Sequence, residues 1–359
     1  SSRIESSMTQ HKILYCWFKK GSTTARKYIE EGIINGFLAA GHEVETWDGV
    51  HTQSLEKILN DFQPDVFLGH VRNQPGYSPA LWITNACFGV LQRYKNTHGL
   101  KVALETHPDS ITMFNLLDIP MSIVEKNKPF HYQARPGLPA EEKLVNTKFV
   151  DLILHAFTDK VNNYGFRWWV ERVPVMSWPL AADSTVYVES QDDVEQDIDI
   201  SFVGGWWPSK GLQLDKYMKP MMEEFGDRLH IYGTGWPYGS RGYLPDNEVG
   251  HIFASSKINI CLHELPFVQH HPTHVSERVF KVGMVGGFAI SDNNPCILEY
   301  FDISREVIIS HSPEDMIESC NYYLKYESER KEIANNFRER VKTDHTYIHR
   351  VNSLLERLF

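Results

Sequence analysis

Short apolar runs alternate with amphipathic stretches along the first half of this 359-residue chain. Ile13-Leu14-Tyr15-Cys16-Trp17-Phe18 reads as a buried strand; after a polar Gly-Ser-Thr-Thr turn, a helix is expected over 24–40, with Gly41 just past its end. Strands follow at 42–47, 66–70, 101–105 and 152–156, with helices expected over 54–61 and 77–97. Strands alternating with helices over such a length build a parallel, doubly wound sheet. The Pro- and charge-rich segment 129–148 breaks the rhythm, as a long surface excursion beside a crevice would.

The pattern then repeats. Pro174 and Pro179, followed by an acidic run over 189–199, mark the best boundary. Beyond it come strands at 198–203, 230–232, 258–262, 288–291 and 306–310, and helices at 212–225, 249–255, 275–285 and 313–325. The tail 327–358 keeps a helical period, so a terminal helix is expected to pack back across both halves. The organisation expected is α/β throughout: a Rossmann-like domain over 8–178, a second over 179–335, and a terminal helix over 336–359 crossing back over the cleft they face.

Length agrees, since single cores rarely grow past about 250–300 residues. No run reaches the roughly 18 apolar residues of a membrane span, and no charged-then-apolar leader opens the chain, so a soluble, cytoplasmic protein is expected. Residues 1–7 precede the first Met without any apolar period, which makes Met8 the expected natural start. Five widely spaced cysteines, mostly within apolar runs, suit buried thiols in a reducing compartment. A net charge of −10 argues against a broad nucleic-acid surface, which needs clustered Lys and Arg, and disfavours a nucleic-acid partner. Nine Trp and sixteen Tyr exceed what a plain core needs and suit stacking on sugars or bases.

Three glycine-bearing strand ends fall in the second half: Gly204-Gly205 before Lys210, Gly233-Thr234-Gly235-Trp236, and Gly286-Gly287. Ligands of open α/β sheets bind outside the carboxyl ends of strands, where glycine lets backbone approach a phosphate or base; the alternative is three ordinary tight turns. The sharpest block is His270-His271-Pro272-Thr273-His274-Val275-Ser276-Glu277-Arg278-Val279-Phe280-Lys281. Ser276 or Thr273 can cap a helix whose amides face a diphosphate, Glu277 can accept a ribose hydroxyl, and Arg278 or Lys281 can neutralise phosphate oxygens. A solvated surface helix would read the same way. His263, His270, His271 and His274 lack a metal-ligand spacing, so no metal is expected and they read as hydrogen-bond donors beside a phosphate. In the first half, His70, His107 and Asp109 at strand ends are candidate bases, and Glu264 could meet sugar hydroxyls from the other side. Trp17, Lys19, Ser22 and Thr23 lie in an opening loop without phosphate-loop spacing and are expected on the acceptor side.

Ile258-Asn259-Ile260, Ser276-Glu277-Arg278-Val279-Phe280, the run Gly286-Gly287-Phe288-Ala289-Ile290-Ser291-Asp292 and Leu298-Glu299-Tyr300-Phe301 together resemble the C-terminal domain of CgeB-like, family 1 glycosyltransferases. Pro179-Leu180-Ala181-Ala182-Asp183 and the closing Asp344-His345-Thr346-Tyr347-Ile348-His349-Arg350-Val351 extend the likeness over 178–359. The resemblance implies a GT-B fold, a nucleotide-diphosphate sugar on the C-terminal domain, an acceptor on the N-terminal one, and chemistry in the cleft with no cofactor or required metal. One departure is Lys281, where many relatives carry Glu, and no Glu-x7-Glu pair replaces it; Glu277 is then the expected ribose contact, and the stereochemical outcome stays open. The expected activity is sugar transfer to a hydroxyl of a glycan or small molecule, with a modified nucleic-acid base as a minor alternative. A non-catalytic two-lobed sugar-binding protein and a nucleotide-sugar epimerase are the competing readings.

Overall fold

The computed structural model describes residues 9–16, 25–71, 81–83, 85–106, 139–162, 166–263 and 274–359. Its first sheet has six parallel strands, β1 (Lys12–Cys16), β2 (Glu43–Trp47), β3 (Val66–His70), β4 (Lys101–Glu105), β5 (Leu152–His155) and β6 (Val175–Ser177), in the order β2-β1-β3-β4-β5-β6. Helices α1 (Ala25–Ala39), α2 (Thr52–Asp61), α3 (Ala86–His98), α4 (Pro139–Asn146) and the single turn α5 (Arg167–Val170) accompany it. β3 is buried at every position, as a central parallel strand covered on both faces must be. α3 starts later than the expected 77 because the Asn85 side chain accepts a hydrogen bond from the Cys87 amide and caps it there. Within the expected surface excursion, α4 is a helix that buries Leu144.

The second sheet is also parallel: β7 (Ile198–Val203), β8 (Leu229–Tyr232), β9 (Ser256–Cys261), β10 (Ala289–Asp292) and β11 (Ile308–Ser310), in the order β11-β10-β9-β7-β8. Around it lie α6 (Pro208–Phe225), α7 (Asp246–Ser255), α8 (Glu277–Met284), the single turn α9 (Ile297–Tyr300), α10 (Pro313–Lys325) and α11 (Glu327–Asp344), before the last helix, α12 (Tyr347–Leu358). α6 opens earlier than expected because Pro208 fits the first helical position, where its missing N–H costs nothing.

The tail is two helices, not one. Thr346 and His349 form a reciprocal capping box that starts α12 afresh. α11 buries Ile333, Ala334, Phe337 and Val341 in the C-terminal cores, whereas α12 lays Val351, Leu354, Leu355 and Leu358 on the face of the first sheet made by Ile13, Tyr15, Val66 and Leu68. The chain therefore crosses between domains twice, and the crossings run side by side: Ala182 N donates to His345 O (3.0 Å) and Tyr347 N to Ala182 O (3.0 Å). Arg350 ties them, donating to the carbonyls of Pro179 (2.9 Å), Leu180 (3.0 Å) and Asp344 (3.1 Å), while its own carbonyl accepts from Trp178 Nε1 (2.7 Å). α1 makes room for the strap with two glycines; a Cβ at Gly32 would stand 2.4 Å from the Tyr347 ring, and one at Gly36 2.9 Å from the Tyr347 backbone.

The carboxyl ends of the two sheets face one another. Beyond β5, the Phe157 ring meets the His274 ring edge-on at 5.5 Å, and Lys160 pairs with Glu299 at 2.7 Å.

Candidate active site

At the carboxyl end of β7 two cations converge on one aromatic ring. The Arg278 guanidinium lies 4.6 Å from the Phe202 centroid and the buried Lys210 ammonium 5.8 Å from it. Arg278, in the first turn of α8, is aimed by hydrogen bonds from Nε to Val203 O (2.6 Å) and from Nη1 to Leu262 O (3.1 Å), the residues that end β7 and follow β9. Gly204 is what admits it: a Cβ there would stand 2.4 Å from Arg278 Nη2. Lys210, in the first turn of α6, lies 4.4 Å from the Trp207 ring. Like charges gathered beside a helix start and a glycine turn form a seat for an anion.

The other turn serves this one. Gly233 and Gly235 have positive φ, and a Cβ on them would stand 2.1 Å from Gly204 O and 2.3 Å from Trp206 O. The two turns are thus stacked backbone on backbone, joined by Gly204 N to Tyr232 O and Trp206 N to Thr234 O, both 2.9 Å. Trp236 is buried, and its indole N–H donates to Gly204 O at 2.9 Å. Gly233, Gly235 and Trp236, expected to touch a donor directly, instead brace the Gly204-Gly205 turn.

Glu277 and Lys281 also depart from their expected roles. Both are buried and paired with each other at 2.6 Å; the second Glu277 oxygen accepts from Tyr347 OH at 2.8 Å. Burial pushes the Glu277 carboxyl upward, and the contacts with Lys281 and Tyr347 oppose that shift. The Lys281 ammonium lies 5.3 Å from the Tyr28 ring and 5.0 Å from that of Tyr187. The pair therefore bridges α8 to α1 and to the strap, and each carboxylate oxygen already has a protein partner. Lys281→Met should destabilise the fold by about 3–5 kcal/mol by stranding a buried carboxylate, and Glu277→Gln added to it should recover most of that loss in urea unfolding.

Asp292, to which the sequence patterns gave no role, and His263, expected as a hydrogen-bond donor beside a phosphate, support the start of α8. Asp292, fully buried at the end of β10, accepts from His263 Nδ1 (2.7 Å), His263 N (2.7 Å) and Gln213 Nε2 (3.2 Å). The other ring nitrogen of His263 accepts from the Ser276 amide (3.1 Å), which fixes the neutral tautomer with its proton on Nδ1. The available signal was positional, since His263 and Asp292 both sit at strand ends of one sheet. Ser276 precedes the first turn of α8, and its buried hydroxyl has no partner among the described residues. His274 packs toward the N-terminal domain rather than into the Arg278 seat.

Across the cleft, His70 ends β3 with a carboxylate against each ring nitrogen: Glu30 at 3.4 Å from Nε2 and Glu105 at 3.1 Å from Nδ1. His70 and Glu30 are buried; Glu105 reaches the small cavity it lines with Thr106, His155 and Leu180. His155 accepts from the Phe157 amide and donates to Asn162, and burial pulls it down to about 4. His345 at the crossing is likewise pulled down to about 4 by burial; it accepts from Arg350 and donates to Tyr300 O. Both fold as neutral rings and gain a proton more readily when unfolded. Their stabilisation is therefore complete above about pH 6.5 and lost as pH falls toward 4, at about 1.4 kcal/mol per pH unit each, readable by urea unfolding at pH 7 and pH 5.

Trp17, Lys19, Ser22, Thr23, His107, Asp109, Glu264 and Thr273 lie outside the described residues. Among the described residues no group of three or more His, Cys, Asp or Glu is arranged to hold a metal ion, and no helix is long and apolar enough to cross a membrane.

Residues 215–356 match a protein-family model described as glycosyl transferase-like. No protein of curated function matches the sequence. Among solved structures, an α-glucosyltransferase in complex with UDP and a 13-mer DNA containing an HMU base superposes with a TM-score of 0.64 at 11% identity, over 98% of this chain and 100% of that one. Sucrose-phosphate synthase from Thermosynechococcus elongatus gives 0.60 at 9% identity, over 98% and 99%. HepE from Anabaena, in complex with UDP and glucose, gives 0.58 at 9%, over 97% and 99%. At such identities the likeness is one of fold, and that fold is GT-B. The family match, over 215–356, falls in the C-terminal part of that fold.

Proposed function

We propose that the protein moves a sugar from a nucleoside-diphosphate sugar, held by its C-terminal domain, to a hydroxyl presented by its N-terminal domain. The observation that carries this reading is the convergence of Arg278 and Lys210 on Phe202 beside Gly204, at the carboxyl end of a parallel sheet that faces a second one. Arg278, Lys210 and the start of α8 would neutralise the departing diphosphate, and Ser276 Oγ would donate to it. On the other side we assign the acceptor role to the Glu105–His70–Glu30 trio, with Glu105 nearest the cleft as the carboxylate that takes the hydroxyl proton. Uridine is the proposed donor base, because two of the superposed structures hold UDP. We further propose that transfer needs no metal, that the enzyme is closest to the CgeB-like members of its class, and that it works in the cytoplasm, where its five buried thiols stay reduced.

The test is a panel of UDP-, GDP-, ADP- and dTDP-sugars followed by calorimetry and by nucleotide release, with and without EDTA. Binding of one donor and acceptor-dependent release of its nucleotide supports transfer. Binding without release would favour a sugar-binding protein, and sugar interconversion without acceptor an epimerase. A second acceptor reading, a hydroxymethylated base in DNA, is favoured by the end-to-end superposition on the HMU-DNA complex. It opposes the net charge of −10, and a duplex carrying 5-hydroxymethyluracil should accept label only if that reading holds.

A further inference from the structure

A second concentration of hydrogen-bond donors lies at the opposite end of the C-terminal sheet. A cavity of about 460 Å³ opens near the amino ends of β7 and β9, lined on its donor side by Gln191, Gln196, Lys257, Arg330 and Lys331. Two carboxylates, Asp192 and Glu327, also line it. Lys257 is engaged by Asp199 at 2.6 Å and Lys331 by Glu327 at 2.6 Å. Arg330 is different. It is 2% exposed and forms no ion pair among the described residues; Nη1 donates to Tyr323 O at 2.5 Å and Nε has no partner. Burial lowers the Arg330 guanidinium, and the nearby Glu327 and Asp199 carboxylates, neither within ion-pair distance of it, only partly offset that cost. Gln191 Nε2 is a second buried donor without an acceptor among the described residues. The 18-residue helix α11 begins at the same place without a side-chain cap, directing the positive end of its dipole there.

We infer that this cavity binds the phosphate group of a small metabolite, apart from the donor cleft. The edge of Arg330 and the amide of Gln191 supply N–H donors from two sides, which suits an oxyanion with several acceptor oxygens. The volume falls in the range of metabolite pockets and leaves room for a sugar- or nucleoside-sized body beyond the phosphate.

Thermal unfolding in sodium phosphate, against sodium chloride at equal ionic strength, tests this on the wild type, Arg330→Gln, Gln191→Ala and Arg278→Met. The last removes the cleft's own attraction for phosphate. Phosphate should stabilise the wild type and Arg278→Met alike, and the apparent affinity should fall about tenfold in Arg330→Gln. Gln191→Ala should weaken it in the same direction, which keeps the test valid if Arg330→Gln does not fold. Crystals soaked in tungstate should show an anomalous peak beside Arg330, and glucose 6-phosphate should bind more tightly than inorganic phosphate. No stabilisation, a response abolished by Arg278→Met but kept in Gln191→Ala, tungstate confined to the cleft, or glucose 6-phosphate no tighter than phosphate would overturn the assignment.

Discussion

Arg278→Met is expected to lower kcat/KM for sugar transfer by about 10²–10³-fold, the usual cost of removing one preorganised group that meets charge developing in a transition state. The loss should appear in kcat as well as in donor affinity, because the leaving diphosphate is more charged than the bound donor. Met keeps the length and apolar body that pack on Phe202, so the fold should lose only the bonds to Val203 O and Leu262 O. Arg278→Lys should recover part of the activity, since it restores the charge without the fork that reaches both carbonyls. Steady-state kinetics on the best donor, with calorimetry against its nucleoside diphosphate, reads both effects. Unchanged kinetics in Arg278→Met would remove the basis of the donor assignment.

Arg350→Met should cost about 3–5 kcal/mol, because it strands three carbonyls at a buried crossing. Burial lowers the Arg350 guanidinium to about 10, which still leaves it charged at neutral pH. Urea unfolding should show the loss. Limited proteolysis should show faster cutting near 345–346, since the two crossings are held together by this side chain as well as by Ala182. Unfolding and proteolysis like those of the wild type would mean that Ala182 alone suffices.

The double sheet was legible in the sequence because parallel strands are buried on both faces and read as plain apolar runs; Val66–His70 and Ile198–Val203 stand almost where the pattern puts them. The position of Arg278 at a helix start ahead of a glycine-closed strand was legible. The pairing of Glu277 was not, because its partners Lys281 and Tyr347 belong to one helix turn and to a strap 70 residues away, which no local pattern joins. Gly233 and Gly235 misled for a related reason: glycine signals that something comes close, and here the neighbour is the backbone of Gly204 and Trp206 rather than a ligand. The break between α11 and α12 was hidden because Thr346 and His349 cap a helix without any proline or glycine to mark it. Asp292, and with it the supporting role of His263, escaped because a supporting pair carries no spacing motif, only a shared sheet edge.

The strap also sets an order of assembly. Residues 347–358 leave the ribosome after both sheets have been synthesised, yet they cover Ile13, Tyr15, Val66 and Leu68 in the first of them. Until then α1 covers that face alone, through Ile33 and Phe37, and the apolar ground that α12 later fills stays open to water.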